Sequence, residues 1–175
     1  AERRKYKMKT KFRIMPRSFG NYEIGNKKFV AVEYEEITIS NKSLPFKDYA
    51  YCREMDLTIE ILHNGRVYSE VAGICDAYNL SWFDLIMTFF ERRYDHTTEI
   101  SKMYKEFRKG TTKQLWNNED ELTEYVKNNI DSLLVDERGT NEMSTGKATA
   151  FFKLFKEINT ILFQLLRDKL HETGN

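Results

Sequence analysis

The run Phe29-Val30-Ala31-Val32-Glu33-Tyr34-Glu35-Glu36-Ile37-Thr38-Ile39-Ser40, continued by Asn41-Lys42-Ser43-Leu44-Pro45-Phe46, decides the fold. Up to Ser40 it is rich in β-branched and aromatic side chains, as a strand requires. From Ser43 the period becomes helical. Ser43 is a capping residue, Pro45 suits a first turn, and Phe46, Tyr49, Arg53, Leu57 and Ile61 recur at three or four, ending near Asn64-Gly65. Upstream, Phe12, Ile14 and Pro16 alternate with Lys11, Arg13, Met15 and Arg17, and Gly25-Asn26 between the two runs reads as a two-residue hairpin loop. Placing Ile24 opposite Lys27 sets Ile14 against Ile37 and Phe12 against Ile39. Lys11, Arg13, Met15 and Arg17 then share the other face with Ser40, Thr38, Glu36 and Tyr34, with Glu36 diagonally between Arg13 and Arg17.

Past the first helix the spacing predicts a second through Val67, Val71, Ile74, Cys75 and Tyr78, and a third from Trp82 to Phe90, apolar nearly all round and capped by Ser81. A fourth opens at Thr97 or Thr98 and closes at Gly110. Acids at 119–121 favour a short surface helix through Leu122, Tyr125 and Val126. Residues 136–146 read as a long loop. Ala148, Phe151, Phe155, Ile158, Leu162 and Leu165 then form the strongest helical stripe. The expected fold is α+β and predominantly α. A basic arm and β-ribbon occupy 1–41, and a helical body of about five to six helices with a long C-terminal helix occupies 42–175 as one structural unit. The C-terminal stripe serves core packing or a homo-oligomer seam.

Charge is divided along the chain. The total of +1 sums a segment 1–17 with eight Lys and Arg against one Glu, and a remainder at about −6 (20 Lys and Arg against 26 Asp and Glu). Arg3, Arg4, Lys5, Lys7, Lys9, Arg13 and Arg17 are therefore candidate interaction residues, suited to an acidic protein surface or to phosphates. Tyr6 is the one aromatic interleaved in the arm, which is thin for a base-stacking platform. Glu33, Glu35 and Glu36 form the dense carboxylate group of a strand, with Glu33 and Glu35 on the apolar face. They are candidate buried carboxylates for hydrogen bonding or proton transfer, and an uncharacterised hydrolase or transferase would use Glu33 or Glu35.

Other chemistries find little support. Cys52 and Cys75 read as reduced thiols in a chain with no secretory h-region, which points to a cytoplasmic setting. No apolar stretch is long enough to span a membrane. His63, His96 and His171 are scattered rather than at ligand spacing. Gly146-Lys147-Ala148-Thr149 lacks the Gly at 141 and the Ser or Thr at 148 that a phosphate-binding loop needs, and no nucleophile elbow occurs. The chain begins at Ala1 without a methionine, which fits a piece excised from a longer polypeptide.

A set of motifs goes beyond composition. Lys11-Phe12-Arg13-Ile14-Met15-Pro16-Arg17-Ser18-Phe19-Gly20, Val32–Ile37, Leu44-Pro45-Phe46-Lys47-Asp48-Tyr49, Cys52-Arg53 and Leu57-Thr58-Ile59-Glu60-Ile61 resemble the carboxy-terminal region of cobalamin-binding-type radical SAM proteins. Gln114-Leu115-Trp116, Asp120-Glu121-Leu122, Glu137–Asn141 and Lys147-Ala148 are similar to the later part of the same region in that group. The resemblance implies a non-catalytic accessory domain that packs on a catalytic barrel or shapes substrate access. The iron–sulfur cluster, S-adenosylmethionine and cobalamin would belong to upstream domains of the same polypeptide. With two thiols there is no cluster to build here, so no catalytic, cofactor-binding or metal residue of that family carries over. The alternative is a freestanding nucleic-acid-binding module that uses the basic arm.

Overall fold

Gly25 supplies the positive φ, 63°, that a two-residue hairpin loop needs, and from it β1 (Lys9–Ile24) and β2 (Lys27–Ser40) run antiparallel. The computed structural model describes residues 2–135 and 141–174, the side chains of 16–19, 21, 28, 134 and 135 excepted. A single turn, α1 (Glu2–Lys5), precedes the ribbon. Helices α2 (Phe46–Ile59), α3 (Ser69–Ala77), α4 (Trp82–Glu91), α5 (Thr98–Lys113), α6 (Glu119–Val135), α7 (Glu142–Phe152) and α8 (Phe155–Glu172) come after it. The fold is α+β, mainly α. Two compact units draw on segments remote in sequence: residues 1–51 with 109–142, and 52–108 with 143–175. The ribbon thus shares its unit with α6.

In the first unit the expected pairing holds from the turn, Ile24 opposite Lys27, as far as Phe19 opposite Val32. Beyond it the register slips by three, because the chain from Met15 to Ser18 stands against Glu33 alone. Pro16 has no amide hydrogen to give the ladder, and such residues sit at bulges. An odd slip exchanges faces. Ile14 therefore meets Tyr34 rather than Ile37, Phe12 meets Glu36 rather than Ile39, and Arg13 meets Glu35 rather than Thr38. The face so formed packs on α6: Ile14, Leu122, Val126 and Leu133 are buried, with Phe12, Val32, Tyr34, Trp116 and Ile130 around them. Phe12 and Trp116 exchange two backbone hydrogen bonds of 2.9 Å, adding a bridge on the other edge of β1.

The sequence underrates α6. It runs to Val135 because Leu122, Val126, Ile130 and Leu133 continue a four–four–three stripe. Its start is closed reciprocally: Asn118 Oδ1 accepts from the Glu121 N–H at 2.8 Å, and the Glu121 carboxylate accepts from the Asn117 N–H at 3.1 Å. Before α2, Asn41 rather than Ser43 provides the turn, its Oδ1 accepting from the N–H groups of Ser43 and Leu44 at 2.9 and 3.0 Å.

The second unit is all helical. Leu57, Ile61, Phe89, Ile100, Tyr104, Ile158 and Leu162 are among its side chains wholly or almost wholly out of water. α2 ends as a π-helical turn, Glu60–Asn64, which buries Ile61 and Leu62. The expected loop at 136–146 is helical from Glu142; 136–140 lie outside the described residues. Gly146 explains the helix there, since a Cβ on it would meet Leu57 Cδ1 at 2.8 Å, so the glycine lets α7 approach α2. The C-terminal stripe is divided at Lys153–Leu154, with the Lys153 and Leu154 amides both reaching Thr149 O. This break moves Ala150 and Leu154 into the core and leaves Phe152 88% exposed, while Ile158, Leu162, Leu165 and Leu166 of α8 are covered within the unit.

Candidate functional site

The basic segment is partly neutralised by the ribbon beside it. Arg3 grips Glu36 with two 2.7 Å hydrogen bonds, and Arg13 donates from Nε to Glu35 at 2.6 Å. Hydrogen bonds from Arg3 and then from Thr10 hold the Glu36 carboxyl down at about 2. Lys11 bonds the Asn117 side chain, and the Lys42 N–H donates to Tyr6 O at 2.8 Å, which ties the arm to the start of the helical part. Arg4, Lys5, Lys7 and Lys9 stand exposed with no ion pair among the described residues. The side chain of Arg17 lies outside the described ones.

The carboxylates are not the buried group that alternation suggests. Glu33 and Glu36 are exposed and Glu35 is half-buried, because the three-residue slip turns Glu35 toward Arg13 and leaves Glu36 beside Arg3.

The buried polar chemistry of the described residues lies elsewhere, around a glutamate that only a weak spacing signal marks. Glu54 is 0% exposed in the second unit. Its Oε2 accepts from Arg93 Nε at 2.9 Å and Arg93 Nη2 at 2.8 Å, and its Oε1 accepts from Arg108 Nε at 2.7 Å and from the Tyr94 hydroxyl. The Arg93 guanidinium, nearly buried, lies 4.1 Å from the Phe90 ring and 4.6 Å from that of Tyr94. Thr58 donates to Glu54 O at 3.0 Å and meets the Tyr104 hydroxyl at 2.7 Å. Burial, reinforced by the Glu54 carboxylate, pushes the Tyr94 phenol up, and burial does the same to Tyr104. Every carboxylate lone pair that geometry offers has a donor, so Glu54 ties α2 to α5 and to the turn after α4 instead of acting as a base. A weak signal for it exists: Ala50, Glu54, Leu57 and Ile61 recur at four, three and four, one position removed from the stripe through Phe46, Tyr49 and Arg53.

Several other titratable groups are engaged within the chain. Lys147 pairs with Glu60 at 2.6 Å, and hydrogen bonds from Lys147 and then Asn64 hold the Glu60 carboxyl low. Cys75 is buried and its thiol raised by burial; Cys52 is exposed. His96 meets Phe89 O at 2.8 Å, and burial lowers its pKa. Among the described residues no three His, Cys, Asp or Glu side chains gather to hold a metal, and no helix is long and apolar enough to cross a membrane. The fold and these clusters define an α+β protein, mainly α, with an N-terminal β-ribbon. No family model, curated protein or solved structure matches the chain.

Proposed function

We propose that this chain is a non-catalytic accessory domain that docks on a catalytic partner through its N-terminal β-ribbon. The partner class is the one its motifs resemble, the radical SAM barrel with its iron–sulfur cluster, S-adenosylmethionine and cobalamin held upstream in the same polypeptide. The observation that carries the reading is the turn end of the ribbon. There Tyr22 is 56% exposed, Ile24 70% and Phe29 48%, three large apolar side chains that share one face of the hairpin with Tyr22 opposite Phe29, and Val30 is 41% exposed on the other face. Among the described residues the sheet has two strands, so each has one edge without a strand partner over this stretch, which favours association by strand addition. Arg4, Lys5, Lys7 and Lys9 add charge complementary to an acidic surface.

The test is binding of the chain to the catalytic domains of a radical SAM protein of this group, with Ile24→Asp/Phe29→Asp and Arg4→Glu/Lys5→Glu/Lys7→Glu variants. Arg3 is left intact because it holds Glu36. Loss of binding in the first variant and weakening in the second support the reading, and unchanged binding in both rejects it. Nucleic-acid binding is favoured by one observation, the four exposed cations. It predicts association with generic oligonucleotides that falls steeply with salt and is abolished by the charge reversal but not by the tip substitutions.

A further inference from the structure

Helix α3 carries a glycine near its centre for which packing within the chain offers no reason. Gly73 has no positive φ, and a Cβ built on it meets nothing within 4 Å. Glycine is the least favourable helix-interior residue after proline, so its presence here calls for a cause. Gly73 lies on the wall of an open cavity of about 340 Å3, and any side chain at this position would stand in it. That volume falls at the small end of the roughly 300–1,000 Å3 of ligand clefts.

The rest of the wall is built with effort. The π-helical turn Glu60–Asn64 contributes Leu62 and His63, and Arg66 follows in the left-handed region at φ 54°. Both are features that concentrate at functional sites. Trp82 donates from Nε1 to His63 Nδ1 at 3.2 Å, so the neutral imidazole carries its proton on Nε2 and offers it as a donor. From α3 come Ser69, Ala72 and Asp76, on the face that Gly73 shares.

Charge selects the ligand. Arg66 before the helix and Asp76 at its far end are exposed, and neither has an ion pair among the described residues. Ser69 and Asp76 alone are separated by about 10 Å along the axis at 1.5 Å per residue. The ammonium and carboxylate of a single α-amino acid are too close together to meet both ends. A chain of two or three residues, at up to about 3.3–3.6 Å each, spans the distance once the Asp and Arg side chains reach inward. We propose that this cavity binds a short free peptide by both termini. Its carboxylate meets Arg66 and the His63 Nε2–H, its ammonium meets Asp76, and its apolar side chains lie on Leu62, Ala72 and Trp82.

The experiment is an NMR titration of the 15N-labelled chain with Ala-Leu-Ala, its N-acetyl form, its C-terminal amide, and L-alanine. Saturable shifts of the Trp82 indole N–H and the Gly73 amide are expected with the free tripeptide, weakened about tenfold by either cap and by shortening to L-alanine. Asp76→Asn removes the discrimination against the acetylated peptide, and Arg66→Gln that against the amide. Gly73→Leu places a side chain in the cavity, where its Cβ meets nothing within 4 Å, and abolishes the shifts of the Trp82 indole while the circular dichroism stays unchanged. No saturable shift, equal response to the capped peptides, or binding that survives Gly73→Leu overturns the proposal.

Discussion

Arg93 meets Glu54 through two guanidinium nitrogens, at 2.9 and 2.8 Å, with the carboxylate wholly removed from water and the guanidinium nearly so. A buried carboxylate deprived of its buried cation keeps only the half-exposed Arg108 and the Tyr94 hydroxyl as donors. Arg93→Ala should therefore cost about 3–5 kcal/mol in urea unfolding. Arg108→Ala should cost clearly less, since its side chain is 42% exposed and water replaces what it gave. A double-mutant cycle with Glu54→Gln should show strong coupling for Arg93 and weak coupling for Arg108. Equal single effects would mean that the two cations are interchangeable.

Arg13 facing Glu35 is the signature of the slipped register. Arg13→Glu should destabilise the first unit by up to about 1 kcal/mol, and Arg13→Glu with Glu35→Arg should restore most of it. In the unslipped register Arg13 faces Thr38, and the second exchange would rescue nothing. Thermal denaturation of the four variants decides between them.

That slip marks the limit of what the residues disclose about the ribbon. Strand, turn and the first six cross-strand pairs are legible, because alternation and Gly25-Asn26 are local signals. The slip depends on how four residues around Pro16 are absorbed against Glu33, which alternation carries no information about. The C-terminal stripe fails similarly. Its spacing survives a break at Lys153–Leu154 that shifts which apolar residues face inward. Glu54 is hidden for another reason. A glutamate on an apolar stripe reads as a phase error until two arginines, 39 and 54 positions away, are seen to converge on it.

Two of the glycines inside helices, Gly73 and Gly146, should respond in opposite directions. Gly73→Ala meets open space and should stabilise by about 0.5–1 kcal/mol through helix propensity alone. Gly146→Ala drives a methyl to 2.8 Å from Leu57 and should destabilise by about 1–3 kcal/mol. Chemical denaturation of both variants against the parent chain checks the signs.

Two carboxyl groups of the first unit give opposite pH dependences. Glu36 is depressed in the folded state to about 2 from 4.5, so what its pairing contributes is complete above about pH 4.5 and disappears as pH falls toward 2. Arg3→Gln should raise its NMR titration midpoint toward 4.5. Glu142 goes the other way. Burial beside Gly110 raises it, so the folded state favours the protonated acid, and that preference is lost as pH rises from the ordinary glutamate value through the folded one. Glu142→Gln keeps an oxygen for the 3.0 Å hydrogen bond from Gln114 Nε2 and removes the charge. It should be more stable than the parent at neutral pH, with the advantage shrinking at acidic pH. An advantage independent of pH would contradict the burial account.

The proposed docking role of the ribbon is tested most directly by hydrogen–deuterium exchange of the chain alone and with the radical SAM catalytic domains added. Slower exchange of the backbone amides in the stretch from Tyr22 to Val32, with α6 and α8 unchanged, is the result the account predicts. Exchange in that stretch identical with and without the catalytic domains would contradict it.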